Sequence, residues 1–148
     1  MKRIVLALTA VAGLFVSTTA AAPRQQDEWT TQVRRMLQQA GREYESRGYS
    51  MTHRIFTGSL GNGDSEMVSI PLDIGTAYQI MGACDTDCSD LDLVLYDPNG
   101  NQLDDDLELD DFPIVAANAR RSGNYRVKVT MAHCSAEPCR YGLGVFGK

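Results

Sequence analysis

Residues 84–100, CDTDCSDLDLVLYDPNG, set Asp85, Asp87, Asp90 and Asp92 into one short stretch that opens a strand-like run. Carboxylates at that density can coordinate a hard cation, work as a general acid and base, or accept backbone N–H bonds where a turn meets a strand. Calcium takes about six to eight oxygens at about 2.3–2.6 Å, and Asp85, Asp87, Ser89 and Asp90 supply some of them, with Asp92 just beyond. The stretch is not an EF-hand. Counted from Asp85, the sixth position is Asp90 where that loop needs Gly, and the twelfth is Tyr96 where it needs Glu. A second acidic run, DDDLELDD at residues 104–111, follows a turn and is expected to return beside the first. Turn capping and a charged strand edge that resists aggregation explain these aspartates with the least machinery. Calcium held by Asp85, Asp87, Asp90 and Asp92 is the competing chemistry and the one cofactor candidate, and paired catalytic carboxylates come third.

Nucleophilic catalysis finds little to work with. Neither GxSxG nor HExxH occurs, His53 lies in an alternating strand-like run, and His133 adjoins Cys134. A Cys134 held in a disulfide cannot serve His133 as a catalytic thiol. The sequence therefore reads as a non-enzyme, with no catalytic residue assigned. The rival class is a small secreted hydrolase or peptidase-associated protein, whose mark would be a His beside a free Cys or Ser in a pocket.

The cysteines fall as two close pairs, Cys84 with Cys88 and Cys134 with Cys139. Three connectivities satisfy four cysteines. Two local loops are favoured, because each pair brackets a short polar segment between strand-like runs. The CxxxC and CxxxxC spacings do not suit a zinc site.

An oxidising compartment is expected from the front of the chain. Residues 1–22, MKRIVLALTAVAGLFVSTTAAA, carry Lys2 and Arg3, then an apolar run, then small residues, which is the pattern of a cleaved secretory signal. The mature chain is expected in the periplasm or secreted, without stable membrane insertion. Loss of the leader takes the formal charge from -5 to -7. That sign excludes nucleic acid as partner, since phosphate binding needs clustered Lys and Arg. No Lys or Arg occurs between Arg54 and Arg120, while eleven acids fall between Asp85 and Asp111. An envelope or extracellular protein, or a glycan, is the expected partner.

The elements that must position these residues follow from periodicity. Over residues 27–45, Trp29, Val33, Met36, Leu37, Ala40 and Tyr44 share one helical face. Acids at its start and arginines near its end suit the helix dipole. Gly41 inside the pattern costs about 1 kcal/mol against Ala, so the helix is expected to rely on docking against the domain's own core. From residue 50 onward the period is two. Strands are predicted over residues 51–60, 65–72, 76–82, 91–96, 101–109, 112–118, 124–132 and 140–146. GNG at residues 61–63 is read as a hairpin joining the first two. Pro71 marks an edge strand or strand end. DPNG at residues 97–100 fits a type I turn, and RRSGN at residues 120–124 is another turn.

This pattern predicts an all-β fold, an antiparallel jelly-roll-like β-sandwich of about eight strands preceded by one amphipathic helix. The boundaries are a signal peptide at 1–22, a helical segment at 23–49 and the sandwich at 50–148.

The run DLDLVLYDPNGN at residues 90–101, with SGNYRVKV at 122–129 and YGLGVF at 141–146, resembles the bacterial pre-peptidase C-terminal domain. The likeness spans roughly residues 51–146. It implies a jelly-roll-like β-sandwich of the kind appended to secreted peptidases, here preceded by a helix; with no catalytic motif in the chain, the expected role is that of a non-catalytic binding or accessory module.

Overall fold

The computed structural model describes residues 24–148, so the expected leader at residues 1–22 lies outside the described residues. Helix α1, Arg24–Glu45, is followed by nine strands: β1 Ser50–Met51, β2 Phe56–Leu60, β3 Ser65–Leu72, β4 Ala77–Cys84, β5 Cys88–Tyr96, β6 Gln102–Asp106, β7 Ile114–Asn118, β8 Gly123–Cys134 and β9 Cys139–Gly147. They form two antiparallel sheets. One runs β1-β9-β4-β7, with β2 also paired to β9, and the other runs β3-β8-β5-β6.

The alternation read from the sequence decides which side chains meet between the sheets. Leu91, Leu93 and Leu95 of β5 and Tyr125, Val127, Val129 and Met131 of β8 face Tyr78 and Ile80 of β4 and Tyr141, Leu143 and Val145 of β9, all of them buried. Asp92, Val94 and Tyr96 take the other side of β5 and are only half-buried. Each such apolar side chain taken from water contributes about 1.5–3 kcal/mol.

Helix α1 covers the outer face of the first sheet. Val33 and Leu37 pack with Ile55, Met81, Ala83 and Phe146, and Met36, Ala40 and Tyr44 flank them. Strand β9 is therefore buried on both faces, and its YGLGVF sequence suits that position. A Cβ on Gly142 would lie 2.7 Å from Val33 Cγ1, and one on Gly41 would lie 2.7 Å from Phe146 Cε1. The absent side chains let helix and strand approach closely, which accounts for a glycine in mid-helix. Among the described residues no helix is long and apolar enough to cross a membrane.

Two sequence expectations change. GNG does not close a hairpin: β2 pairs with β9 and β3 with β8, so residues 61–64 carry the chain from one sheet to the other. Gly63 has the positive φ, 79°, that the sequence implied. Local turn chemistry was right and partner choice was not, because each strand is claimed by a partner far along the chain. The run predicted over residues 51–60 also splits into β1 and β2, giving nine strands instead of about eight. Pro71 does lie in an edge strand, as among the described residues β3 pairs only with β8.

Candidate functional site at the open end of the sandwich

Of the four aspartates singled out in the sequence, Asp85 alone commits its carboxylate to the backbone among the described residues. Asp85 is 2% exposed, and its Oδ2 accepts the Arg140 N–H at 2.7 Å while Oδ1 accepts the Asp87 N–H at 3.3 Å. Burial pushes its carboxyl above the usual range, partly opposed by those two bonds. Asp87 takes part through its carbonyl, which accepts both the N–H and the hydroxyl of Ser135. Asp90 is half-buried, and its Oδ1 has no hydrogen-bond partner. Asp92 sits on the outer face of the second sheet, with its carboxyl raised first by burial and then by the charges of Asp90 and Asp106, against Lys128. Among the described residues no three His, Cys, Asp or Glu side chains converge closely enough to hold a metal ion.

The second acidic run does return beside the first strand, with Asp105 opposite Val94 and Asp106 opposite Leu93. Its carboxylates then reach across to the other sheet. Asp104 Oδ2 accepts the Ala116 N–H at 2.7 Å and Asp106 Oδ2 accepts the Ile114 N–H at 2.8 Å. Both β6 and β7 are edge strands, so aspartates from one edge satisfy donors that the other would leave open.

The strand directions gather the loops into two ends. At one end the disulfides Cys84–Cys88 and Cys134–Cys139 form the two local loops favoured by the sequence, each with Cα atoms 5.9 Å apart. Asn62 Oδ1 accepts the Cys134 N–H, and Glu137 Oε1 accepts the Asn62 N–H, so the loop between the sheets is tied to the second disulfide loop.

At the opposite end the turn after β5 and the loop after β7 enclose a cleft of about 660 Å³, lined by Asp97, Asn99, Asn101, Leu103, Ala116, Ala117, Asn118, Arg120, Arg121 and Tyr125. The turn is built by Asp97, whose Oδ1 accepts the N–H of Asn99 and of Asn101 and whose Oδ2 accepts the Asn101 amide. Those bonds, the Asn101 amide foremost, hold the Asp97 carboxyl below its usual range, with Arg121 assisting. The facing loop is pinned on both sides of its arginines. The Ala119 N–H and carbonyl bond to Thr76 and Gly75, Ser122 Oγ accepts the Ile74 N–H at 2.9 Å, and the buried Tyr125 hydroxyl donates to the Arg121 carbonyl at 3.1 Å.

The guanidinium groups of Arg120 and Arg121, and the amides of Asn99 and Asn118, carry no hydrogen bond or ion pair among the described residues. In the sequence Asn99, Arg120 and Arg121 read as turn residues and Asn118 as the end of a strand. The available signal was charge: Arg120 and Arg121 are the first cations after residues 55–119, which contain none. The histidines lie elsewhere. Both ring nitrogens of His53 are engaged, with Thr52 Oγ1 and the Pro71 carbonyl, and His133 is exposed at the disulfide end.

No protein-family model matches the chain, and no curated protein matches it in sequence. Among solved structures it is similar to Aeromonas hydrophila PliG, a periplasmic lysozyme inhibitor of g-type lysozyme, at 14% identity over 64% of this chain and 85% of that one, with a TM-score of 0.49. It is also similar to the pre-peptidase C-terminal domain of collagenase from Bacillus anthracis, at 18% identity over 62% of this chain and 87% of that one, with a TM-score of 0.48. The likeness is a loose one of β-sandwich fold, and nothing about ligand or partner is carried over from either protein.

Proposed function

We propose that this chain is an exported, non-catalytic binding module of the cell envelope, a β-sandwich of pre-peptidase C-terminal type that presents one ligand cleft at the end away from its disulfides. The observation that carries the reading is the cleft itself: about 660 Å³, within the range of ligand pockets, with two guanidinium groups and two amides that no described residue satisfies. Loops carried on a rigid sandwich are where binding groups are commonly placed. Against the hydrolase alternative, the lining contains no His, Ser or Cys, and its one buried hydroxyl, on Tyr125, already donates to a backbone carbonyl. All four cysteines are oxidised, which removes a thiol nucleophile.

Amide NMR of the purified protein, titrated with glycerol, N-acetylglucosamine and galacturonate, tests the reading. Shifts concentrated at residues 97–103 and 116–125 are expected. Shifts centred elsewhere, or none with any probe, would overturn it.

A subordinate reading keeps weak calcium binding at the stretch of Asp85, Asp87, Asp90 and Asp92. One observation favours it, the unpartnered and buried Asp90 Oδ1. Thermal melts in calcium, magnesium and matched ionic strength separate the cases: stabilisation by calcium alone, abolished in Asp90→Asn, supports a site, and equal effects reduce it to screening.

A further inference from the structure

We infer that the cleft takes an acidic carbohydrate, a sugar ring carrying a carboxylate; this rests on the cleft being the ligand site. The charge balance comes first. Two guanidinium groups face one carboxylate, Asp97, and that carboxylate is already held by the backbone and amide of its own turn. The chain has 19 acids to 14 Lys and Arg, yet none of those acids is drawn into an ion pair with Arg120 or Arg121 among the described residues. Exposed arginines without partners are common, because surface ion pairs contribute little. Here, however, both sit on one short loop whose backbone is anchored at Ala119, Ser122 and Tyr125, so only their side chains are left to be ordered on binding. A planar guanidinium fork matches a carboxylate in two parallel bonds, and such charge-assisted bonds are roughly twice as strong as neutral ones.

The remaining lining narrows the class. The Asn99 and Asn118 amides each offer a donor and an acceptor, which suits hydroxyl groups that are both. Leu103, 46% exposed, and Ala116 supply an apolar wall on which the C–H face of a sugar ring can rest. A simple anion would use the arginines and leave the wall and amides idle. A neutral sugar would use the wall and amides and leave two cations unpaired.

Calorimetry of the purified protein with galacturonate, galactose and acetate separates these cases, because the first two differ at a carboxylate and the third lacks the ring. Galacturonate is expected to bind about tenfold tighter than either, and to weaken with added salt while galactose does not. The paired substitution Arg120→Gln and Arg121→Gln should bring galacturonate to the level of galactose with the melting temperature nearly unchanged, since both side chains are exposed and make no hydrogen bond, and Arg121 acts on Asp97 only at a distance. Galactose binding as tightly as galacturonate would overturn the inference and leave the cleft as a neutral-sugar site. Acetate binding as tightly would reduce it to an anion site. If all three fail while N-acetylglucosamine still shifts the cleft amides, the inference falls and the binding reading stands; if every probe fails, both fall.

Discussion

The two ends of the sandwich are built from the same kinds of residue, aspartates, asparagines and short loops, and use them in opposite ways. At the disulfide end several polar groups are spent on the fold: Asp85 holds two backbone N–H groups, Asn62 and Glu137 bridge loops, and two covalent bonds close the loops, with the buried Asp90 Oδ1 the exception that has no partner. At the cleft end Asp97 and Asn101 build a turn, and Arg120, Arg121, Asn99 and Asn118 keep their side-chain hydrogen-bonding capacity. The lesson is that polar composition does not distinguish a scaffold loop from a binding loop. Unspent donors and acceptors on a pinned backbone do.

The contrast can be broken most forcefully by removing both disulfides. Loops this short, with sequence separations of 4 and 5, contribute about 2 kcal/mol each. Serine at all four positions should therefore lower the urea midpoint markedly while leaving the cleft's NMR response to galacturonate in place. Loss of that response at temperatures where the variant is folded would mean the two ends are coupled.

A smaller effect compares the aspartates that serve turns at the two ends. Asp85→Ala should cost about 1–3 kcal/mol by leaving the Arg140 and Asp87 N–H groups without their acceptor. Asp97→Ala removes a comparable set of bonds at an exposed turn where water can replace them, so its loss in chemical unfolding should be clearly less. Equal losses would contradict the division between a spent and an open end.

The smallest shift concerns Asp92, between the ends. Its carboxyl binds protons more tightly in the fold than at its ordinary value of 3.8, so ionising it costs the folded state. That proton-linked stability is present at low pH and is lost as pH rises through the folded pKa. Asp92→Asn should accordingly raise the melting temperature slightly at pH 7, with the difference vanishing below pH 3.8. A destabilised variant at pH 7 would show that the carboxylate has a favourable partner.

Much of the fold was legible because burial on one face writes itself as alternation. Tyr125, Val127, Val129 and Met131 in β8 and Leu91, Leu93 and Leu95 in β5 gave both strand and inward face. The DPNG turn was equally plain, since Asp, Pro and Gly each satisfy a local dihedral or hydrogen-bonding need. What stayed hidden depends on which distant segments become neighbours. Nothing local says that β2 belongs to β9, or that Asp104 and Asp106 will meet the N–H groups of β7. The cleft was hidden for the same reason: Asn99 and Arg120 each look like turn residues, and only the closing of the two sheets sets one opposite the other.

Strand β9 bears on timing. Among the described residues it is the sole strand partner of β1 and β2 and one of two partners of β4, and its outer side is where Val33, Leu37 and Gly41 of the helix come to rest. A chain that has not yet delivered Cys139–Gly147 can pair β4 with β7 and little else in that sheet. Assembly of the first layer is therefore a late event in synthesis order, whereas the second, β3-β8-β5-β6, has all its strands once β8 is made.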